Sequence, residues 1–402
     1  MSSESTAASC LGSTVRSDFP FFEQQPGLVY LNSSAMPLRP RTVLESVSRG
    51  FFDPTASASA LAEAERRIAR FLSVDEEDVQ PVMGCHMAFE RVYELIHSPE
   101  RNVYLTSPFA HKAALTPLDR WQRRGWVRRL PLQLDASGRT DVSALAERLG
   151  PEVRAVVVNH VASVTGAVEP LEDIAALLKD HGERCGRDVL LIVDGAQSVP
   201  RLPVDAGVAD FYLVASQKCG ALPGGVVITS ARGRAAIAGS PDPGRGLLAT
   251  REHLRAGTPH IESVVSLASA FEYLGRLRSG TDTGMVAVER AIAKLTERLL
   301  DGLAKVGGIE VLGESRRFNA GIVSFLHRDR SAGELGAALA ERGIVVRAGV
   351  KDAFDHWFCV PDLPEVHPAV RQRDGAIRAS LSFYNTPGDI DRLLAALEEV
   401  IS

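Results

Sequence analysis

The chain has 402 residues, a formal net charge of −5, 45% apolar and 24% charged residues. That length can bury a large core and points to two domains. The balance excludes wholesale disorder, and mild acidity without a basic stripe argues against a nucleic-acid partner.

No run reaches the roughly 18 apolar residues that span a bilayer. The start, MSSESTAASC, has neither a cationic segment nor an apolar core, so no secretory leader is expected and the cytoplasm is the expected compartment. Cys10, Cys85, Cys185, Cys219 and Cys359 are scattered, with no CxxC pair. Neither a zinc site nor a disulfide framework is expected, and no metal.

Residues 1 to about 17 read as a loose tail. "LVYLN" (Leu28–Asn32) reads as a strand. "SALAEAERRIARFLSV" carries Leu61, Ile68 and Leu72 at helical spacing. "VQPVMG" ends a strand, and "CHMAFERVYELIHS" continues as a helix. "RNVYLTSP", "VRAVVVNHV", "VLLIVDG", "DFYLVAS" and "GGVVITS" are short β-rich runs bounded by turn residues. Apolar strands alternating with helices predict a parallel sheet covered on both faces. From about residue 280 the pattern changes. It runs through a long amphipathic helix, the strands "AGIVSFLH" and "GIVVRAG", the helix "SAGELGAALAERG" and a final helix "GDIDRLLAALEEVIS".

Asp194 closes one apolar run and Lys218 follows another, on a turn of small residues, "ASQKCGALPGG". A lone lysine on a turn is usually solvated, and a lone aspartate there is usually a cap. Gly84, Asp194 and Lys218, however, all fall at the carboxyl ends of predicted strands, where open parallel sheets bind ligands. A lysine and an acid in one such pocket suit a cofactor held through a Schiff base, its ring nitrogen kept protonated by the acid. That is the pyridoxal phosphate arrangement.

The stretch from Val193 to Ile228 resembles the class V aminotransferase family, in particular its cysteine desulfurase and selenocysteine lyase branch. The resemblance extends over nearly the whole chain. It implies an α/β protein of pyridoxal-phosphate fold type I: a tail or small-domain segment at 1–24, a large cofactor domain at 25–275 with a mostly parallel sheet, and a smaller α+β domain at 276–402. It implies pyridoxal 5'-phosphate on Lys218, with Asp194 at the ring nitrogen, Gln197 at the phenolic oxygen and His111 of "AHKAAL" on the ring face. The phosphate would lie on Gly84, Cys85 and His86 at a helix start, with Ser163, Ser216 and Gln217 near the cofactor. Thr258 of "RAGTPH" would reach across a homodimer interface to a neighbour's phosphate, giving shared sites. Arg378 would bind the substrate carboxylate, helped by Arg347, and Asn32 of "YLNSSA" would contact substrate.

The departures from the family pattern bear on the reaction. Asp352 in "RAGVKDAF" stands where the desulfurase branch carries its nucleophilic cysteine. Cys359, farther along the same loop, reads chiefly as part of an apolar patch, "HWFCV"; the alternative is that it replaces the missing nucleophile, as in relatives that carry the cysteine on a longer loop. Gln217 replaces the usual histidine before the lysine, Ser163 replaces an asparagine, and Cys85–His86 replaces a Thr-Thr pair. The resemblance with these changes implies a lyase cleaving the C–S bond of an S-substituted L-cysteine by β-elimination, in natural-product biosynthesis, as among the lincosamide-pathway enzymes. The alternatives on this scaffold are decarboxylation coupled to oxidative deamination, an aminotransferase or an epimerase. A nicotinamide oxidoreductase is excluded by the lack of a GxGxxG after the first strand.

Overall fold

The computed structural model describes residues 10–50, 57–238, 254, 260–313, 316–349, 359–373 and 375–401. Strands β1 to β8 are Val29–Tyr30, Val79–Val82, Val103–Thr106, Arg128–Pro131, Val153–Asn159, Leu190–Asp194, Phe211–Ala215 and Gly225–Thr229. All but β1 form a seven-stranded sheet in the order β2-β8-β7-β6-β5-β3-β4. The pairs β3–β4, β3–β5, β5–β6 and β6–β7 are parallel. β8 runs antiparallel to both neighbours, β7 and β2. The carboxyl ends of β2 to β7 therefore share one edge of the sheet.

The aliphatic runs explain the layering. Every residue of β6 and β7 is buried, and residues of both pack into the two large clusters that hold the helices. A strand covered on both faces needs side chains that are apolar in both directions.

After the hairpin of β9 (Arg278–Ser279) and β10 (Asp282–Thr283) comes the helix Gly284–Leu303. A second, antiparallel sheet follows, ordered β11-β12-β15-β14. Its strands are Ile309–Leu312, Ile322–His327, Ala376–Ser380 and Arg347–Gly349 respectively. "GIVVRAG" is not one strand. It divides at Val346 into β13 (Ile344–Val345), which pairs with β1, and β14, which pairs with β15. Asn32 then bridges to Ser380, carrying the chain from β1 to the end of β15.

The expected loose tail is in part a packed element. Leu11–Val15 is helical, with Leu11 and Val15 buried, and Phe19 makes ring contacts with Tyr273, Phe383 and Tyr384. Arg16 adds a pair of hydrogen bonds to Asp389, at 2.9 and 3.0 Å. Three singly spaced apolar residues suffice to seat this segment.

Candidate active site

One cavity, about 400 Å³ in volume, opens at the shared edge. β6 ends in Asp194, whose register neighbour on β5 is Asn159, and both line the cavity. Lys218 lies on the short 3₁₀ turn Ser216–Cys219 that follows β7. Gly84, two residues beyond β2, has φ +152° and precedes the helix Cys85–Ile96. That geometry favours a glycine and leaves the first N–H groups of the helix free to receive an anion.

Lys218 Nζ donates to the backbone oxygens of Ser34 and Ala35 at 2.6 and 2.7 Å. Its withdrawal from water, then the charge of Arg378, lowers its pKa to about 8, against the pull of Cys359 and Asp194. Asp194 accepts the N–H of Ala196 at 3.0 Å. Burial raises its carboxyl above the usual range, opposed by that hydrogen bond and by Lys218. Gln197 donates to the Ser34 oxygen at 3.0 Å.

His111 caps the helix Lys112–Arg123, its Nδ1 accepting from Ala113 N–H at 3.0 Å. Burial, then Lys218, brings its pKa down to about 4, so the ring is neutral. Arg347 and Arg378 are direct register partners across β14 and β15 and both line the cavity. Like charges in register repel. Arg378 donates to the Ser163 backbone oxygen at 2.8 Å, and burial followed by Arg347 lowers its pKa to about 9. Such a pair suits a carboxylate.

Of the expected residues, Gly84, Cys85, His86, His111, Ser163, Asp194, Gln197, Gln217, Lys218, Arg347 and Arg378 are brought together around this cavity. Asn32 is not in the lining; its place is taken by Ser34 and Ala35. Ser216 is buried in the turn, its N–H bound to the Gly224 oxygen. Thr258 and Asp352 lie outside the described residues. Cys359, read as part of an apolar patch, instead lines the cavity with φ +59°. Sequence reasoning also missed Asn159, whose position at a strand end was a usable signal. It missed the Ser34 and Ala35 oxygens too, which act through backbone and leave no signal. A larger groove of about 530 Å³ beside Gly284–Leu303 is lined by exposed Arg290, Arg316 and Arg317 and by buried Arg201; Arg290 and Arg316 are paired with Asp282 and Asp301.

The cavity fits pyridoxal phosphate. Asn159 Oδ1, Ser163 Oγ and Gln217 Oε1 are buried without a hydrogen-bond partner, and all three residues line it. Buried polar atoms are normally paired, and a polar ligand in the cavity would supply these three with partners. An amine near neutrality, a buried carboxylate, a neutral imidazole and a helix start make up a donor set for a phosphorylated pyridine aldehyde.

Fold and site together define a pyridoxal-phosphate-dependent enzyme of fold type I. The family model described as aminotransferase class V matches residues 30–393, and the chain belongs to that family. Among curated proteins it is similar to a cysteine desulfurase of Yersinia pestis (strain Pestoides F), 27% identical over 96% of this chain and 97% of that one. Among solved structures it superposes on the apo cysteine desulfurase of Thermococcus onnurineus NA1 with a TM-score of 0.82, 22% identity and coverage of 97% and 98%. The Escherichia coli cysteine desulfurase CsdA follows with a TM-score of 0.80, 23% identity and the same coverage.

Proposed function

We propose that this chain is a lyase that cleaves the C–S bond of an S-substituted L-cysteine by β-elimination, in the cytoplasm and in a natural-product pathway. The observation that carries the reading is the Lys218 amine, its pKa lowered to about 8, in one cavity with Asp194 and the Arg347–Arg378 pair. Pyridoxal phosphate, when bound, supplies an electron sink conjugated to the substrate Cα. Lys218 and Asp194 would hold it, with His111, Gln197 and the Gly84–His86 helix start around it.

The chain's own residues do the rest. Arg378, with Arg347, binds the substrate carboxylate and orients Cα toward Lys218. Lys218 takes the Cα proton. The Cβ–S bond breaks, its electron pair leaves with sulfur as thiolate, and the three-carbon enamine product hydrolyses to pyruvate and ammonia. No sulfur acceptor on the protein is required, which agrees with Asp352 at the position where the resembling branch has cysteine.

A second reading, sulfur transfer to Cys359, is favoured by the place of that residue in the cavity lining. Incubating the enzyme with L-cysteine and with a panel of S-substituted cysteines tests both. Elimination yields pyruvate and thiol in equal amounts, unchanged in Cys359→Ser. Sulfur transfer yields alanine and is lost in that variant.

We further propose a homodimer. Met36, Met83 and Met87 are each more than 40% exposed. In sequence they adjoin Ala35 and Gly84–His86 of the cavity lining, and exposed apolar side chains beside the cavity suit a second copy.

A further inference from the structure

Arg201 is 3% exposed; it lies outside the lining of the cofactor cavity and borders the groove beside Gly284–Leu303. Its guanidinium makes four hydrogen bonds, all to neutral oxygens. Nη1 donates to the backbone oxygens of Leu381 at 2.6 Å and Ala320 at 3.3 Å. Nη2 donates to Ser33 Oγ at 2.9 Å and Ser34 Oγ at 3.2 Å. No carboxylate pairs with it among the described residues. A buried cation without a counter-ion works against folding, and a neutral residue of similar volume would serve stability better. The charge and its donors therefore call for another explanation.

The explanation lies in what Arg201 holds. Ser33 and Ser34 are also tied to the end of β15. Ser33 Oγ donates to the Ser380 and Leu381 oxygens, and Ser34 N–H donates to Ser380 Oγ. The next polar atoms of this turn are the Ser34 and Ala35 oxygens, the two acceptors of Lys218 Nζ. Gln197, four residues before Arg201, grips the same Ser34 oxygen.

A neutral amine has two N–H bonds and one lone pair. Giving both N–H bonds to these oxygens leaves the lone pair as its one free site, directed away from the turn. We propose that Arg201 is a positioning residue of the cofactor site: it fixes the Ser33–Ser34 turn so that two backbone oxygens orient the Lys218 amine as a nucleophile. The charges facing this spot support it. Arg378 and Arg201 disfavour the ammonium form of Lys218, against Asp194 and Cys359, while Tyr384 is the group that faces Arg201 itself.

This inference rests on the cofactor assignment, and its test separates the two. Apoenzyme is mixed with pyridoxal phosphate, and covalent capture is followed by visible absorbance. In parallel, calorimetry measures the affinity for pyridoxine 5'-phosphate, which lacks the aldehyde and cannot react with lysine. Failure of the wild type to bind pyridoxine 5'-phosphate would overturn the cofactor assignment itself. Arg201→Met is expected to slow capture by about tenfold or more through loss of orientation, with pyridoxine 5'-phosphate affinity within about twofold of wild type. Arg201→Lys, which restores a charge and donors, is expected to recover part of the rate. An unchanged capture rate in Arg201→Met, or equal loss of both measurements, would overturn the proposal. Should Arg201→Met not fold, Ser34→Ala removes one of the four acceptors while keeping the backbone oxygen. It is expected to slow capture about threefold, the effect of one modest hydrogen bond, and an unchanged rate there is equally fatal.

Discussion

Lys218 and Asp194 face opposite electrostatic demands within one cavity, and each gives a residue-level prediction. A lysine whose pKa is lowered to about 8 is ammonium below that pH and free amine above it. Only the free amine can join an aldehyde, so cofactor capture should be slow at acid pH, rise through about pH 8 and level off above it. Stopped-flow absorbance across pH checks this; a midpoint near the ordinary lysine value would contradict it. Lys218→Ala should bind cofactor without the visible band of the lysine-linked form. Asp194→Ala should lower turnover by several orders of magnitude, since the ring nitrogen loses its acid and the electron sink weakens. Near-normal steady-state rates in that variant would remove Asp194 from its assigned place.

At the scale of elements, the turn after β6 decides how accurately Asp194 is presented. Tyr212 of β7 packs its ring against Gly195, and a Cβ at that glycine would overlap the ring. Its hydroxyl is held by His160 Nδ1 at 2.7 Å and Ser198 Oγ at 2.6 Å, and Gly195 N–H donates to the Leu213 oxygen at 2.8 Å. Gly195→Ala should therefore cost about 1–3 kcal/mol, as overpacking does, and weaken cofactor binding through Asp194. Urea unfolding and cofactor titration measure both, and a variant as stable as wild type would contradict the packing argument. The strands around this turn were legible in sequence because burial on both faces demands unbroken aliphatic runs. The reversed direction of β8 was not, since "GGVVITS" reads the same either way. Nor was the break in "GIVVRAG", which arises because its two halves pair with different partners. The Leu11–Val15 helix escaped notice because its anchors stand singly in a polar segment. The side chains of the site were legible through their place at strand ends. The oxygens that hold Lys218 were not, because they belong to backbone brought near by β1–β13 pairing and the Ser380 bridge.

For the molecule as a whole, the two sheets meet at the cavity: the seven-stranded sheet carries Asp194 and Lys218, and the four-stranded sheet carries Arg347 and Arg378. Among the described residues, no helix is long and apolar enough to cross a membrane. The proposed dimer predicts a light-scattering mass twice that of the chain. Met83→Glu, which places a charge on an exposed apolar position beside Gly84, should shift it toward the single-chain mass and lower cofactor occupancy, whereas a wild type that stays at the single-chain mass would exclude shared sites.

Product analysis with an S-substituted L-cysteine follows the fate of the carbon–sulfur bond on which the proposed elimination stands. Pyruvate, ammonia and free thiol are expected in equal amounts, with no alanine and no dependence on Cys359. Alanine with sulfur retained on the protein, or keto-acid-dependent amine transfer without thiol release, would contradict it.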